Sequence, residues 1–557
     1  RYTSTCARTS LHTISPVDID STSCTSKFRT LKHVITVFRS IMSPAQNTYI
    51  PLVLVGNSLS VLIAATVRAE KGLKTVIVNP GGHLGGYFAG IQALGRLQDA
   101  GMVLYELSSL RHDASVPPLE SYNPMGRNDV GRFSEVVRRY VSSLHDIHTV
   151  PQPMMWADGK MLPDMILSNG ISALPMLSNA SIIRDELIRI CRTITPESRL
   201  WHPANKGAWP LDGTPTADWV STTSGNEGFN CDTVSRRIHG ETLHECVFSA
   251  FSRQVMNTDA SSVAALYHRL PWLPMYWPQT LLSVLEGRTD NAVLPTFFSH
   301  PVGSTVAHLC RHLESRAHAD PLIHVIQDRV TKLERNTNGF SVHTAQSGML
   351  QSLRLGWALP PNMGVAAAGH TPDTDRSKRL PLMLCFLKLR PEHIDRECSV
   401  VYGVANDTGL YRITNNTLCG APSEDGDIYM VAEANPDRFA AHHGSLLDDQ
   451  EVAAAVCRDL AHMGLIRRSA QPVATEIRRF AGARPVPTHD SVQCHLQERQ
   501  RLMALLPGLE PLGVCAGPFS VGLADHIVQG LQLAKRLDTP EITHSSSFHS
   551  YDALAHA

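Results

Sequence analysis

The chain has 557 residues, enough for two or three domains with sizeable cores. Its 50 Lys and Arg balance 51 Asp and Glu, so no net field draws it to nucleic acid or to an anionic membrane surface. No apolar run reaches the roughly 20 residues of an integral membrane segment, and the 12 cysteines form no CxxC pair, which points to reduced thiols in a cytoplasmic compartment.

Residues 1–41 are rich in Ser and Thr and carry six Lys or Arg against Asp18 and Asp20. An organelle-targeting leader and sequence upstream of a start at Met42 both fit; the second is preferred, because 31–41 has no clean amphipathic stripe. Either way the segment is expected to be disordered and outside the fold. The first patterned stretch is 50–90. An apolar run over 50–55 is closed by Gly56, and 59–71 carries Leu, Val, Ile and Ala with no Gly or Pro, as a buried helix does. Gly72 stops that helix, and 75–78 is a β-branched strand. Strand, tight turn, helix and strand within about 30 residues is the unit that seats a dinucleotide, with pyrophosphate at the helix N-terminus. The fingerprint G-x-G-x-x-G would need glycines at 56, 58 and 61, where the chain has Gly56, Ser58 and Val61. Asn79 stands where an acidic residue would take ribose hydroxyls. A βαβ unit that binds nothing reads the same way.

The next segment is Gly81-Gly82-His83-Leu84-Gly85-Gly86. Four glycines in six positions are costly to order, and backbone without Cβ atoms lets a bulky ligand lie against the chain. With this segment the sequence resembles the flavoproteins that include amine oxidases, protoporphyrinogen oxidase, phytoene desaturases and UDP-galactopyranose mutase. In them a Rossmann turn is followed by a Gly-Gly segment that passes the ribityl chain and flavin ring; His83-Leu84-Gly85-Gly86 looks most like the mutase version. The resemblance implies an α/β fold, a Rossmann-like FAD-binding domain with an inserted substrate domain of mixed sheet plus helices, and FAD rather than NAD.

Further along, 87–111 is apolar and reads as helix, 112–127 as loop, 133–144 as helix, 151–163 as turns and 178–192 as helix. Residues 195–230, rich in Pro, Gly, Trp and Thr, are a substrate-lining excursion or a surface insertion. Over 241–256, Leu243, Val247, Phe248 and Phe251 fall at helical spacing. The segment Arg269-Leu270-Pro271 with Trp272, Tyr276 and Trp277 resembles the family region over the flavin, and Phe297 to Gly303 its return to the FAD domain. Strands are expected at 322–325, 330–335 and 340–343, with Asn338-Gly339 as a hairpin turn, and at 353–359. The resemblance gives Val330 a backbone contact on the adenine side. Strands at 380–389, 399–404, 410–414, 427–433 and 483–487 and a helix over 449–465 would build the substrate-covering sheet. A strand over 514–519, then Gly517 and Gly522, then a helix opening at Asp525 resembles the closing FAD motif, with Pro518 in place of an arginine. The implied division is 50–111, 296–370 and 491–536 for the FAD domain, 112–295 and 371–490 for the substrate domain, and 537–557 for a loose tail.

By this resemblance the cofactor residues are Gly56, Ser58, Asn79, Gly81, Gly82, Gly85, Gly86, Val330, Gly517, Gly522, Asp525, His526 and Ile527. Arg412 and His83 are the catalytic candidates; Arg269, Arg412 and Tyr411 are the substrate-binding ones. A planar guanidinium at 412 would grip phosphate or carboxylate in two places, or it is a salt-bridged arginine of the sheet. The 27 histidines are scattered, and no metal is expected. Three functions follow: an FAD-dependent oxidoreductase passing hydride from a small organic substrate to flavin, a flavin-dependent isomerase like the mutase, or a non-catalytic scaffold with a decayed nucleotide site. Oligomeric state is left open.

Overall fold

A computed structural model describes residues 49–107, 118–122, 133–193, 208–209, 230–264, 274–276, 278–288, 296–373, 379–445, 448–517 and 522–537. The chain divides at Ile50, and every element below belongs to the unit that starts there. It opens with β1 (Ile50–Val55), α1 (Leu59–Glu70) and β2 (Thr75–Asn79). It then leaves through α2 (Ser134–Ser142), the hairpin β3 (Met154–Ala157) and β4 (Lys160–Pro163), and α3 (Ala180–Thr193). The return runs through β5 (Phe298–Pro301), α4 (Val306–Ala319), β6 (Ile323–Gln327), β7 (Val330–Asn336), β8 (Gly339–Thr344) and β9 (Met349–Trp357). A second excursion holds β10 (Arg379–Leu389), β11 (Val400–Gly403), β12 (Arg412–Asn415), β13 (Ile428–Ala434), α5 (Pro436–His443), α6 (Asp449–His462) and β14 (Ala474–Pro485). The chain closes with α7 (His489–Leu505), β15 (Glu510–Pro511) and α8 (Leu523–Arg536).

Two sheets organise these elements. In the first, the order is β6-β2-β1-β9-β8-β7, with β15 beside β9; β1 lies parallel to both β2 and β9. Its central strand is apolar throughout because both faces are covered. Leu52 and Leu54 face the core beneath α1, α4 and α8, while Val53 and Val55 face a core closed by Trp357, Val365 and Leu502. The second sheet has the order β14-β10-β13-β12-β11-β3-β4. Along β10, Leu382, Leu384 and Phe386 point toward the helices of the first excursion. Met383, Cys385 and Leu387 point toward α5 and α6. Three separate stretches of chain build the first sheet, and two intervening excursions build the second.

Several expectations need correction. Residues 87–107 hold no helix longer than the 3-10 turn Gly86–Ala89; a short hairpin, Ile91–Ala93 with Arg96–Gln98, follows. Gly85, Gly86, Gly90 and Gly95 all have positive φ, which breaks any helix, and a Cβ at Gly90 would sit 2.3 Å from that of Ala307. The turns expected at 151–163 are the β3–β4 hairpin, whose two-residue loop Asp158-Gly159 has positive φ at both positions. Helix 241–256 exists, but His244–Ser249 is a π segment. The strand placed at 514–519 is instead a helical turn, Gly513–Ala516, with β15 just before it. The expectations for 1–41 and 537–557 fall outside the described residues, as do nearly all of 195–230 and most of 112–127.

Candidate functional site

The glycine turns meet at the C-terminal edge of β1. Gly56, at φ +120, donates its N–H to Val78 O at 2.9 Å; a Cβ there would lie 3.1 Å from that of Ala358. Gly85 pairs across to Ser58, donating to Asn57 O at 2.8 Å, and a Cβ on it would stand 3.0 Å from Cys310 Cβ. Gly81 and Gly82 remain exposed, and a Cβ at Gly81 would meet nothing within 4 Å. The loop is thus pinned at Gly85 and open at Gly81, Gly82 and the half-buried Gly86.

Its shape is held by side chains around it. Asn79 is fully buried: its Oδ1 accepts the Gly81 N–H at 3.0 Å and its Nδ2 donates to Gly82 O at 2.9 Å. This corrects the expectation that Asn79 faces ribose hydroxyls, since both ends of its amide are engaged by the loop. Asn57, which sequence reasoning passed over, donates from Nδ2 to Gly81 O at 3.0 Å. From α4, Glu314 accepts the Leu84 N–H at 2.8 Å and lies 3.1 Å from His83 Nδ1, and Arg311 spans Glu314 and Ala89 O. The His83 ring stays largely exposed, with Glu314 as its partner.

The closing segment completes the ring of contacts. Gly513, at φ +51, leaves room for the Ser58 hydroxyl, which a Cβ on it would approach to 3.2 Å; Ser58 in turn bonds to Ser60 at 2.8 Å. The Gly513 N–H donates to Gln529 of α8 at 2.8 Å. Gly530 lets α8 approach α1, because a Cβ there would lie 2.8 Å from Ile63 Cβ. The His526 ring meets Phe88 edge-on at 5.5 Å, joining α8 to the glycine segment. Its Nδ1 is buried without a partner among the described residues, and burial pushes the imidazole down to about 4, so the ring is neutral. Asp525 accepts from the Tyr122 hydroxyl at 2.6 Å. Both long helices start without a side-chain cap, at Ser58 for α1 and at Gly522 for α8. The first turn of α1 holds no acidic residue, so its dipole end is left for an anion or acceptor, whereas Asp525 already stands in the first turn of α8. Ile527 is in the apolar core, which restricts it to backbone contacts. Gly517 is buried just before residues outside the described set, and Val330 opens β7, three positions past Gln327, the residue paired with Asn79.

The overall fold occurs in solved structures. Reduced UDP-galactopyranose mutase matches with a TM-score of 0.61 at 11% identity, over 88% of this chain and 93% of that one. A protein assigned as protoporphyrinogen oxidase from Exiguobacterium sp. 255-15 matches with a TM-score of 0.57 at 14% identity, over 88% and 99%. This chain has the fold of these two proteins. Cyclohexylamine oxidase from Brevibacterium oxydans IH-35A matches with a TM-score of 0.50 at 14% identity, over 88% of this chain and 100% of that one. No family model and no curated relative matches the sequence.

Within this fold the substrate candidates lie elsewhere, on the second sheet. Arg412 is 1% exposed and held in two places by Glu433, Nε to Oε1 at 2.6 Å and Nη2 to Oε2 at 2.7 Å. Glu433 also accepts the Met102 N–H at 3.1 Å and the Tyr411 hydroxyl at 3.2 Å. The guanidinium fork expected to grip substrate therefore grips a carboxylate of the neighbouring strand, which corrects both the catalytic and the substrate-binding expectation for Arg412. Tyr411 serves the same buried pair. Arg269 lies outside the described residues. Gly513, Asn57, Glu314 and Tyr122 were missed; of these only Gly513 carried a sequence signal, a glycine placed just after the Pro511-Leu512 pair.

Proposed function

We propose that this chain binds FAD along its glycine turns and works as an oxidoreductase on a small organic substrate. One observation carries the reading: a glycine loop with open backbone at Gly81 and Gly82 pairs at Gly85 with Ser58, where the long helix α1 begins without a side-chain cap. That combination suits a ligand with a pyrophosphate and a flat acceptor-edged ring. When bound, FAD supplies a two-electron acceptor for hydride. The chain's own residues bind and orient. Gly81, Gly82 and Gly86 admit the ligand to the backbone, and α1 directs partial positive charge at its acceptor atoms. Neutral His526 and Phe88 give the seat an apolar wall. No ribose contact is assigned to Asn79, because its amide is already used.

The isomerase reading loses support because Arg412, its anion-gripping candidate, is committed to Glu433. The scaffold reading is favoured by Asn79 and by Glu314, which puts a carboxylate beside the loop. Titrating the purified full chain with FAD tests the proposal. Flavin absorbance that stays with the protein through gel filtration, followed by oxygen consumption or dye reduction with a candidate substrate, is the expected result. Failure to retain any FAD would sink the proposal in favour of the scaffold.

A further inference from the structure

Two clusters among the described residues each bring three potential metal ligands together: Asp232, His244 and Glu245, and His442, His443 and Asp459. The first already contains its own cation, since Arg236 is paired with both Asp232 and Glu245. In the second, no Lys or Arg among the described residues stands against the carboxylate. We propose that His442, His443 and Asp459 form a binding site for a divalent transition-metal ion of the Zn2+ class. The proposal does not depend on the FAD reading.

The local structure builds this site from two helices and a turn. His442 and His443 end α5, and Gly444, at φ +83, terminates it. The free carbonyls of that last turn give the helix a negative end, which favours a cation there. The His443 ring is held on one side by Phe439 at 4.5 Å and on the other by the Gly409 backbone, where a Cβ would lie 3.2 Å from Nε2. Asp459 reaches in from α6; its Oδ2 accepts from Thr408 Oγ1 at 3.0 Å and Gly409 N at 2.8 Å, and lies 3.1 Å from His443 Nε2. Oδ1 makes no hydrogen bond among the described residues. The His442 ring is exposed, 4.5 Å from that of His443 and perpendicular to it.

One ligand atom from each residue lies within 4.8 Å of the other two. Donors around a tetrahedral Zn2+ stand roughly 3.4 Å apart, so rotation of the exposed His442 closes the difference. Two imidazoles and one carboxylate are a nitrogen and oxygen set suited to Zn2+, with the fourth position left to water. The ion takes the place of the hydrogen bond between His443 and Asp459, and it ties α5 to α6 and to the 408–409 turn that leads into β12.

The test uses Zn2+ alone on the full chain, stripped with a chelator and titrated in competition with a chromophoric chelator. We expect one Zn2+ to raise the thermal midpoint, as any ligand of the folded state does. His442→Ala should weaken that binding at least tenfold and remove the thermal shift; its exposed position means the variant folds. His312→Ala, an exposed histidine on α4, should leave both unchanged. Zn2+ binding and stabilisation in His442→Ala equal to those of the parent chain would overturn the site, as would no Zn2+ binding by the parent.

Discussion

Replacing Arg412 by Met separates an arginine that holds the sheet together from one that serves substrate. Met keeps the apolar stem and removes the charge. Glu433, 1% exposed, would keep only the Met102 N–H and the Tyr411 hydroxyl as partners. It has little room to move, because a Cβ on Gly101 would lie 2.6 Å from its Oε1. Breaking a buried pair by removing one partner costs about 3–5 kcal/mol, most of it from the stranded charge. Removing the second partner relieves that charge, so Arg412→Met with Glu433→Met should recover most of the loss. The coupling between the two sites should then exceed about 2 kcal/mol. Equilibrium urea unfolding of the parent, both single variants and the double variant gives the cycle. If Arg412→Met stays within about 1 kcal/mol of the parent, the range of exposed pairs, the arginine is not structural and its assignment to substrate returns.

Three further outcomes follow from the candidate site. Burial holds the His526 imidazole at about 4, against an unfolded value near 6.5, so the unfolded chain takes up its proton first as pH falls. This contribution is complete above pH 6.5 and is lost as pH drops through about 4, by about 3 kcal/mol at most; His526→Phe should flatten the stability profile over that interval, and an unchanged slope would refute the assignment. Asn79→Asp, which restores the acidic residue of the fingerprint, should weaken rather than improve FAD uptake, because a carboxylate cannot donate to Gly82 O and faces it at a buried site. A loss of about 1–3 kcal/mol in thermal unfolding is expected, and tighter FAD binding would contradict it. Gly85→Ala forces φ +102 on an alanine and brings its Cβ to 3.0 Å from Cys310, whereas Gly86→Ala, at φ +58, meets nothing closer than 3.6 Å. The first should cost about 2 kcal/mol or more and the second about 1 kcal/mol, read by thermal denaturation.

The fold was legible where pattern and period agree. The run 50–55 and the β-branched run 75–78 are apolar on both faces, so they read as central strands whichever way they point; the hairpin expected at Asn338-Gly339 is present with its two-residue loop one position earlier, at Thr337-Asn338. The error at 87–111 has a plain cause: apolar residues there look helical until the positive φ of Gly90 and Gly95 is known, and no side-chain pattern announces it. The site was legible in its glycines and illegible in its partners. Nothing within the local sequence says that Glu314, on a helix more than 200 residues downstream, caps the Leu84 N–H. Nor does the strand 410–414 reveal that Arg412 faces Glu433 on the next strand, since that depends on the register Arg412↔Glu433.

The departures from the nucleotide fingerprint are matched by changes on the elements they touch, and this bears on whether they represent decay. Ser58 puts a hydroxyl where the second glycine would stand, and residue 513, opposite it, is a glycine that makes room. Val61 fills the position of the third glycine, and the close helix approach is supplied by Gly530 of α8, over Ser60 and Ile63. Asn79 gives up the acidic group and spends its amide on the shape of the Gly81–Gly82 turn. Random loss would leave cavities, clashes or unpaired groups at such positions. Here Val61 is fully buried in the core and both ends of the Asn79 amide are bonded. The seat is packed as a unit, each departure being accommodated by the residue it touches. Gly513→Ala should therefore damage this chain by crowding Ser58, and Ser58→Gly introduced with it should relieve the steric part of that loss; equal damage in the single and double variants would show that the two positions were never coupled.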